Sequence, residues 1–105
     1  MIEKIKKIAD HYEFEIQSRH LTEECAELIQ AVNKYYRYDK GLITSDILTS
    51  EDVYKRLTKN IKEEIADVEV MIEQIKYLLN INPNDIEEIK KYKVDRQLER
   101  IKREI

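Results

Sequence analysis

The 105-residue sequence contains one glycine, one proline, one cysteine, one phenylalanine and no tryptophan. So few helix breakers, set among abundant Ile, Leu, Lys and Glu, leave a chain made almost wholly of helices. The lone Cys25 excludes an intramolecular disulfide and a cysteine-based zinc site. It lies inside a helical apolar pattern, where it reads as a small buried hydrophobe, and this fits a reducing cytoplasm. No apolar run approaches the roughly 18 residues of a membrane span. The opening "MIEKIKKIADHYEF" is charged throughout, where a signal peptide needs an apolar core. With 22 acids against 19 bases and a net charge of −3, the chain has no broad positive field to draw in nucleic acid. The expectation is one all-α, cytoplasmic domain over residues 1–105, with neither a membrane nor a nucleic-acid partner. A chain of this length buries only about 65% of its unfolded surface, so a second core is not available.

Hydrophobic spacing divides the chain into four helical stretches. Ile2, Ile5, Ile8, Ala9, Tyr12 and Ile16 recur at three- and four-residue intervals, and a bend or continuation is expected near Gln17 to His20. Leu21, Cys25, Leu28, Ile29, Val32 and Tyr35 continue the pattern to about Tyr38, where "YDKG" signals a turn. The only glycine and a cluster of Thr, Ser and Asp make Gly41 to Ser50 the expected loop. A capping pattern at Thr49–Asp52 then opens the longest helix, carried by Val53, Leu57, Ile61, Ile65, Val68, Ile72, Ile75 and Leu79. "NINPND" closes it and starts the last helix, with Pro83 suited to the first helical position and Asp85 to the positive end of the dipole. Ile86, Ile89, Val94, Leu98, Ile101 and Ile105 give this helix an apolar edge, while its other faces are rich in Lys and Arg. Four such helices leave apolar surface that one protomer can hardly cover, which predicts a homodimer or homotetramer of packed bundles.

One internal similarity carries chemistry. "LTEECAEL" at 21–28 reappears as "IKEEIADV" at 61–68, matching Glu23 to Glu63, Glu24 to Glu64, Ala26 to Ala66 and Glu27 to Asp67. On a helical wheel of about 100° per residue, Glu24 falls about 40° from Leu28 and Glu27 about 100° round on the same side, while Glu23 points away. Glu64, Asp67 and Glu63 repeat that arrangement around the stripe of Ile61, Ile65, Val68, Ile72 and Ile75. Glu-rich helices often carry such pairs on solvated faces. Here, however, two helices that must pack together each direct an (i, i+3) carboxylate pair at their junction. Four acids in one partly buried pocket raise each other's pKa, and a bound cation removes that penalty. All-oxygen ligation points to Mg²⁺ or Mn²⁺, and Mg²⁺ commonly binds through a few carboxylates together with substrate phosphates.

"EECAEL" followed by "EEIADV" resembles the E-x-x-E … E-x-x-D signature of the MazG-like, all-α nucleoside triphosphate pyrophosphohydrolases, carried here by Glu24, Glu27, Glu64 and Asp67. "KVDRQLER" at 93–100 is similar to a later stretch of that family, so the resemblance covers residues from about Gln17 to Arg100. Two departures stand out: Asp95 takes a place where many members have Asn, and the Glu27-to-Glu64 interval is longer than in compact members. The resemblance implies a four-helix MazG-like bundle. It also implies hydrolysis of an NTP or dNTP between the α and β phosphates, with the four acids holding Mg²⁺. Lys93 and Arg100, with Lys91 or Arg96 as substitutes, would then meet phosphate charge, and Asp95 would lie at the substrate.

Gln17 falls on the Glu24 side of the wheel if that helix starts early, where it either reads a base edge or is an ordinary buried amide satisfied by backbone. His20 also projects near Glu24, but the Glu-x-x-His pairs of di-iron bundles are absent. "NKYYRY" at 33–38 suits base stacking or, more commonly, packing and subunit contact. Glycine-rich phosphate loops and catalytic Ser or Cys arrangements are also absent. The competing expectation is a non-catalytic helical interaction module that keeps the fold and uses its charged faces for a partner.

Overall fold

Three helices account for the regular structure: α1 (Ile2–Asp39), α2 (Ser50–Leu78) and α3 (Pro83–Glu104). They are seen in a computed structural model that describes residues 1–44 and 49–104, and no strand occurs among those residues. Residues 45–48 of the expected loop, and Ile105 of the expected α3 edge, lie outside the described residues. The all-α class is as the composition requires.

The helix ends follow local chemistry. Gly41, at φ 72°, takes the left-handed position after α1; Leu42 N–H donates to Arg37 O at 2.8 Å and Gly41 N–H to Tyr38 O at 3.0 Å, which satisfies carbonyls the helix leaves free. Thr49 caps α2 as its sequence pattern predicts, its Oγ1 accepting from the Asp52 amide at 3.2 Å. At the other end of α2, Asn80 plays the glycine's part at φ 56°, with Ile81 N–H donating to Lys76 O at 2.9 Å. Pro83 is the first residue of α3, and the Asn82 side-chain oxygen accepts from the Asn84 amide at 2.9 Å.

α1 is not continuous. Glu13 sits at φ 68°, ψ 172°, a region that only glycine enters without strain, and it separates residues 2–12 from the long run 14–39. Of the bend or continuation expected near Gln17 to His20, the continuation occurs: helix runs through those residues and the break lies earlier, at Glu13. Spacing gave no sign of it, because apolar residues recur on both sides.

α1 and α2 form an antiparallel hairpin. Asp10 meets Tyr77, Gln17 meets Gln74 and Tyr38 meets Tyr54, so each step towards the amino end of α1 matches a step towards the carboxyl end of α2. The buried apolar set is Ile5 and Ala9 at one end, Val53 and Leu57 at the other, and Val68 and Met71 between. All of these but Met71 belong to the expected stripes, although only part of each stripe is covered. Ile29, Val32, Ile65 and Ile72 stay exposed, whereas Glu24 and Glu64 are half-buried. A pair of helices can cover only a narrow strip of each partner, and here the acids fall inside that strip rather than beside it.

Near the loop end, Tyr35 and Tyr38 of "NKYYRY" pack on Tyr54, with ring centroids 5.6 and 5.2 Å apart, while Tyr36 faces outward. α3 buries no residue of its own. Only its start approaches the hairpin, where Ile86 and Lys90 help wall a cavity of about 680 Å³ with Met1, Ile5 and Ile72. No described helix is long and apolar enough to cross a membrane.

Candidate metal centre

The (i, i+3) acids of α1 and α2 meet across the seam. Each of Glu24, Glu27, Glu64 and Asp67 offers one carboxylate oxygen, and these four oxygens lie within 4.8 Å of one another. Local sequence explains the convergence. In each helix the inner Glu takes a place in the packed strip, and the second acid, one turn later, rises at its exposed rim. Glu23 and Glu63 are exposed, as their wheel positions require.

The electrostatics are those of a crowded site. Burial pushes the Glu24 carboxyl above its ordinary value, the charges of Glu27 and Asp67 push it further, and His20 pulls partly back. Glu64 is also raised, first by burial, then by Glu27 and Asp67, with a hydrogen bond shared with Glu27 adding to the shift. Oε2 of Glu24 and Oε2 of Glu64 are buried without any hydrogen-bond partner. Buried oxygens are ordinarily paired, so two orphans in one cluster mark a place where a further group belongs.

A divalent cation fits that place. Glu24, Glu27, Glu64 and Asp67 would hold a hard cation through one oxygen each, and its charge would offset the repulsion among them. The donor set contains neither nitrogen nor sulfur, which favours Mg²⁺ or Mn²⁺ over zinc or copper. His20 stands beside Glu24, its Nε2 3.0 Å from Glu24 Oε1.

Beside the acids lies a cavity of about 410 Å³, walled by Ile8, Tyr12 and Ile16 from the first part of α1, by Gln17, His20 and Glu24, and by Asp67, Val70, Met71 and Gln74 from α2. Gln17 and Gln74 are each only 2% exposed, and Gln17 Nε2 donates to Gln74 Oε1 at 2.6 Å. Gln17 is thus both a buried amide and a wall of the cavity, but its partner is the Gln74 side chain across the seam and not backbone. Gln74 was not singled out from the sequence, although a signal existed. Gln17 precedes Glu24 by the same two helical turns by which Gln74 follows Asp67, which puts both amides at one level of an antiparallel pair.

The α3 residues stand apart. Lys93, Asp95 and Arg100 are exposed, as are Lys91 and Arg96, and none of the five walls the cavity next to the acids. No family model, curated protein or solved structure matches the chain.

Proposed function

We propose that the chain is a Mg²⁺-dependent nucleoside triphosphate pyrophosphohydrolase of MazG-like type, converting an NTP or dNTP and water to the monophosphate and pyrophosphate. The observation that carries the reading is the convergence of Glu24, Glu27, Glu64 and Asp67 with two buried oxygens that nothing else satisfies. When bound there, Mg²⁺ would acidify a water and neutralise charge on the phosphates. The chain's own part is to hold four carboxylates at one level of the hairpin and to place an apolar cavity beside them. That cavity suits a base and sugar, with Tyr12 on one wall and the Gln17–Gln74 amides on another. In the reaction, water oxygen bonds to the α phosphorus, the bridge from that phosphorus to the β-phosphate oxygen breaks, and pyrophosphate leaves with the electron pair.

Assembly belongs to the same reading. The exposed Ile29, Val32, Ile65 and Ile72, together with an α3 that buries nothing, support a homodimer or homotetramer in which helices of several copies complete a four-helix bundle. Lys93, Asp95 and Arg100 would then reach phosphate by way of that assembly, supplying cations opposite the acids. The half-buried free thiol of Cys25 accords with the reducing cytoplasm as the setting.

The test is pyrophosphate release from a panel of NTPs and dNTPs, with and without Mg²⁺. Turnover that requires Mg²⁺, and that Glu64→Gln abolishes while the metal-free protein folds as stably as before, is the expected result. No turnover on any substrate and no thermal shift on adding metal would instead favour the non-catalytic interaction module, and loss of folding in Glu64→Gln would make that acid structural.

A further inference from the structure

Glu24 differs from its three companions in having a nitrogen partner. No Lys, Arg or His lies within ion-pair distance of Glu27, Glu64 or Asp67 among the described residues, whereas His20 Nε2 stands 3.0 Å from Glu24 Oε1. The other oxygen of the same carboxylate, Oε2, is buried and bonded to nothing. One oxygen therefore has an imidazole nitrogen beside it while the other remains available. A glutamate left alone would not hold such a division, because its terminal torsion is broad and its two oxygens exchange by rotation.

We propose that His20 is a positioning residue for the cation: through its Nε2–H it fixes Oε1 of Glu24, so that Oε2 alone is presented to the four-acid cluster. The inference rests on the reading that these acids bind a divalent cation. Helix geometry makes the pair possible, since residues four apart lie one above the other on the same face, and His20 is set one turn towards the amino end. The imidazole is planar and aims one N–H at one point. A neutral ring carries that proton as well as a charged one, so the cation need not face a neighbouring positive charge. Fixing Oε1 also disfavours chelation by both oxygens of Glu24. The site then contributes single oxygens, which suits a small octahedral ion that keeps several waters for substrate to replace.

The location of His20 makes the idea testable. Its side chain is 46% exposed, so replacing it should leave the fold undisturbed, whereas the side chain of Glu24 is only 15% exposed. Partners that orient metal ligands typically account for about 10–100-fold in metal affinity. The experiment titrates Mn²⁺ into the intact metal-free protein, reading free Mn²⁺ by electron paramagnetic resonance, for wild type, His20→Leu and His20→Gln. Thermal unfolding of each metal-free protein serves as a control. His20→Leu should bind Mn²⁺ about 10–100-fold more weakly with unchanged metal-free unfolding. His20→Gln, whose amide can donate from a similar reach, should restore binding to near the wild-type value. Equal affinity in wild type and His20→Leu would overturn the positioning role while leaving the four-acid site standing. Failure of His20→Gln to recover affinity would overturn the claim that the donated hydrogen bond is what matters. Wild type that takes up no Mn²⁺ would remove both the site and this inference.

Discussion

The Gln17–Gln74 pair offers a stability measurement that also bears on function. Both amides are 2% exposed, and the bond between them, at 2.6 Å, crosses the seam of the hairpin. Replacing Gln74 by leucine removes the acceptor and strands the Gln17 amide, and an unsatisfied buried amide costs about 1–3 kcal/mol. Gln74 Nε2 otherwise has only a weak acceptor, Met71 Sδ at 3.6 Å, so little else is lost. For a domain of this size each kcal/mol moves the midpoint of thermal unfolding by about 4–8 °C, and a fall of roughly 4–24 °C is expected for Gln74→Leu. Gln17→Leu should cost a similar amount. The double variant should recover most of the loss, because two apolar groups then replace two paired polar ones. The assay is circular dichroism at 222 nm against temperature, at one fixed protein concentration because assembly makes the midpoint depend on it. Single variants that unfold like wild type, or a double variant whose cost is the sum of the two, would refute the reasoning. The double variant also separates two roles of the pair: if the amides read a base, it should fold yet lose discrimination among nucleotides, whereas a purely structural pair leaves discrimination intact.

Two further outcomes follow from the geometry. Glu13→Gly should stabilise the protein, because a residue with a side chain at φ 68°, ψ 172° carries about 1–3 kcal/mol of strain against about 0.5–1 kcal/mol for the added freedom of glycine in the unfolded chain; Glu13→Ala should not, and equal unfolding of the two variants would argue against strain there. Glu24 and Glu64 have raised pKa values, so the folded state binds more protons than the unfolded one between their ordinary and raised values. The contribution of these acids to metal-free stability should therefore fall as pH rises through that window and level off above it. Mn²⁺ affinity should rise over the same window, since binding needs both carboxylates ionised, and calorimetry in buffers of differing ionisation enthalpy should detect released protons. Affinity that is flat across the window would contradict the assignment of these two acids.

How much could be read from the sequence is decided residue by residue. The cap at Thr49, the helix start at Pro83 and the turn at Gly41 were legible because each depends on one residue type with one local property. The four acids could be placed together because their spacing repeats on two helices that must touch. Which part of each stripe is covered was not legible. Ile65 and Ile72 belong to the same expected stripe as Val68, and only the partner helix decides that Val68 is covered, with Met71, while they stay exposed. The break at Glu13 left no trace either, since glutamate is a helix former and nothing local asks for positive φ; the segment before it is held instead from a distance, by the Tyr77 hydroxyl donating to both oxygens of Asp10 at 2.8 and 2.9 Å.

The seam carries acids among its apolar contacts. Ile5 and Ala9 close one end of the hairpin and Val53 and Leu57 the other, Val68 and Met71 lie between, and Glu24 and Glu64 occupy strip positions that leucine or isoleucine would fill at lower electrostatic cost. Val68, next to Asp67, and Met71 pack in the same strip as the pairs at either end, so the carboxylates are brought together by packing they do not supply. The repulsion is built in before any ion arrives, and binding relieves it. In such an arrangement the free energy of ion binding includes release of that repulsion, and the chain should remain folded when a chelator strips the metal. Unfolding by chelator would show that the apolar contacts cannot hold the acids together unaided.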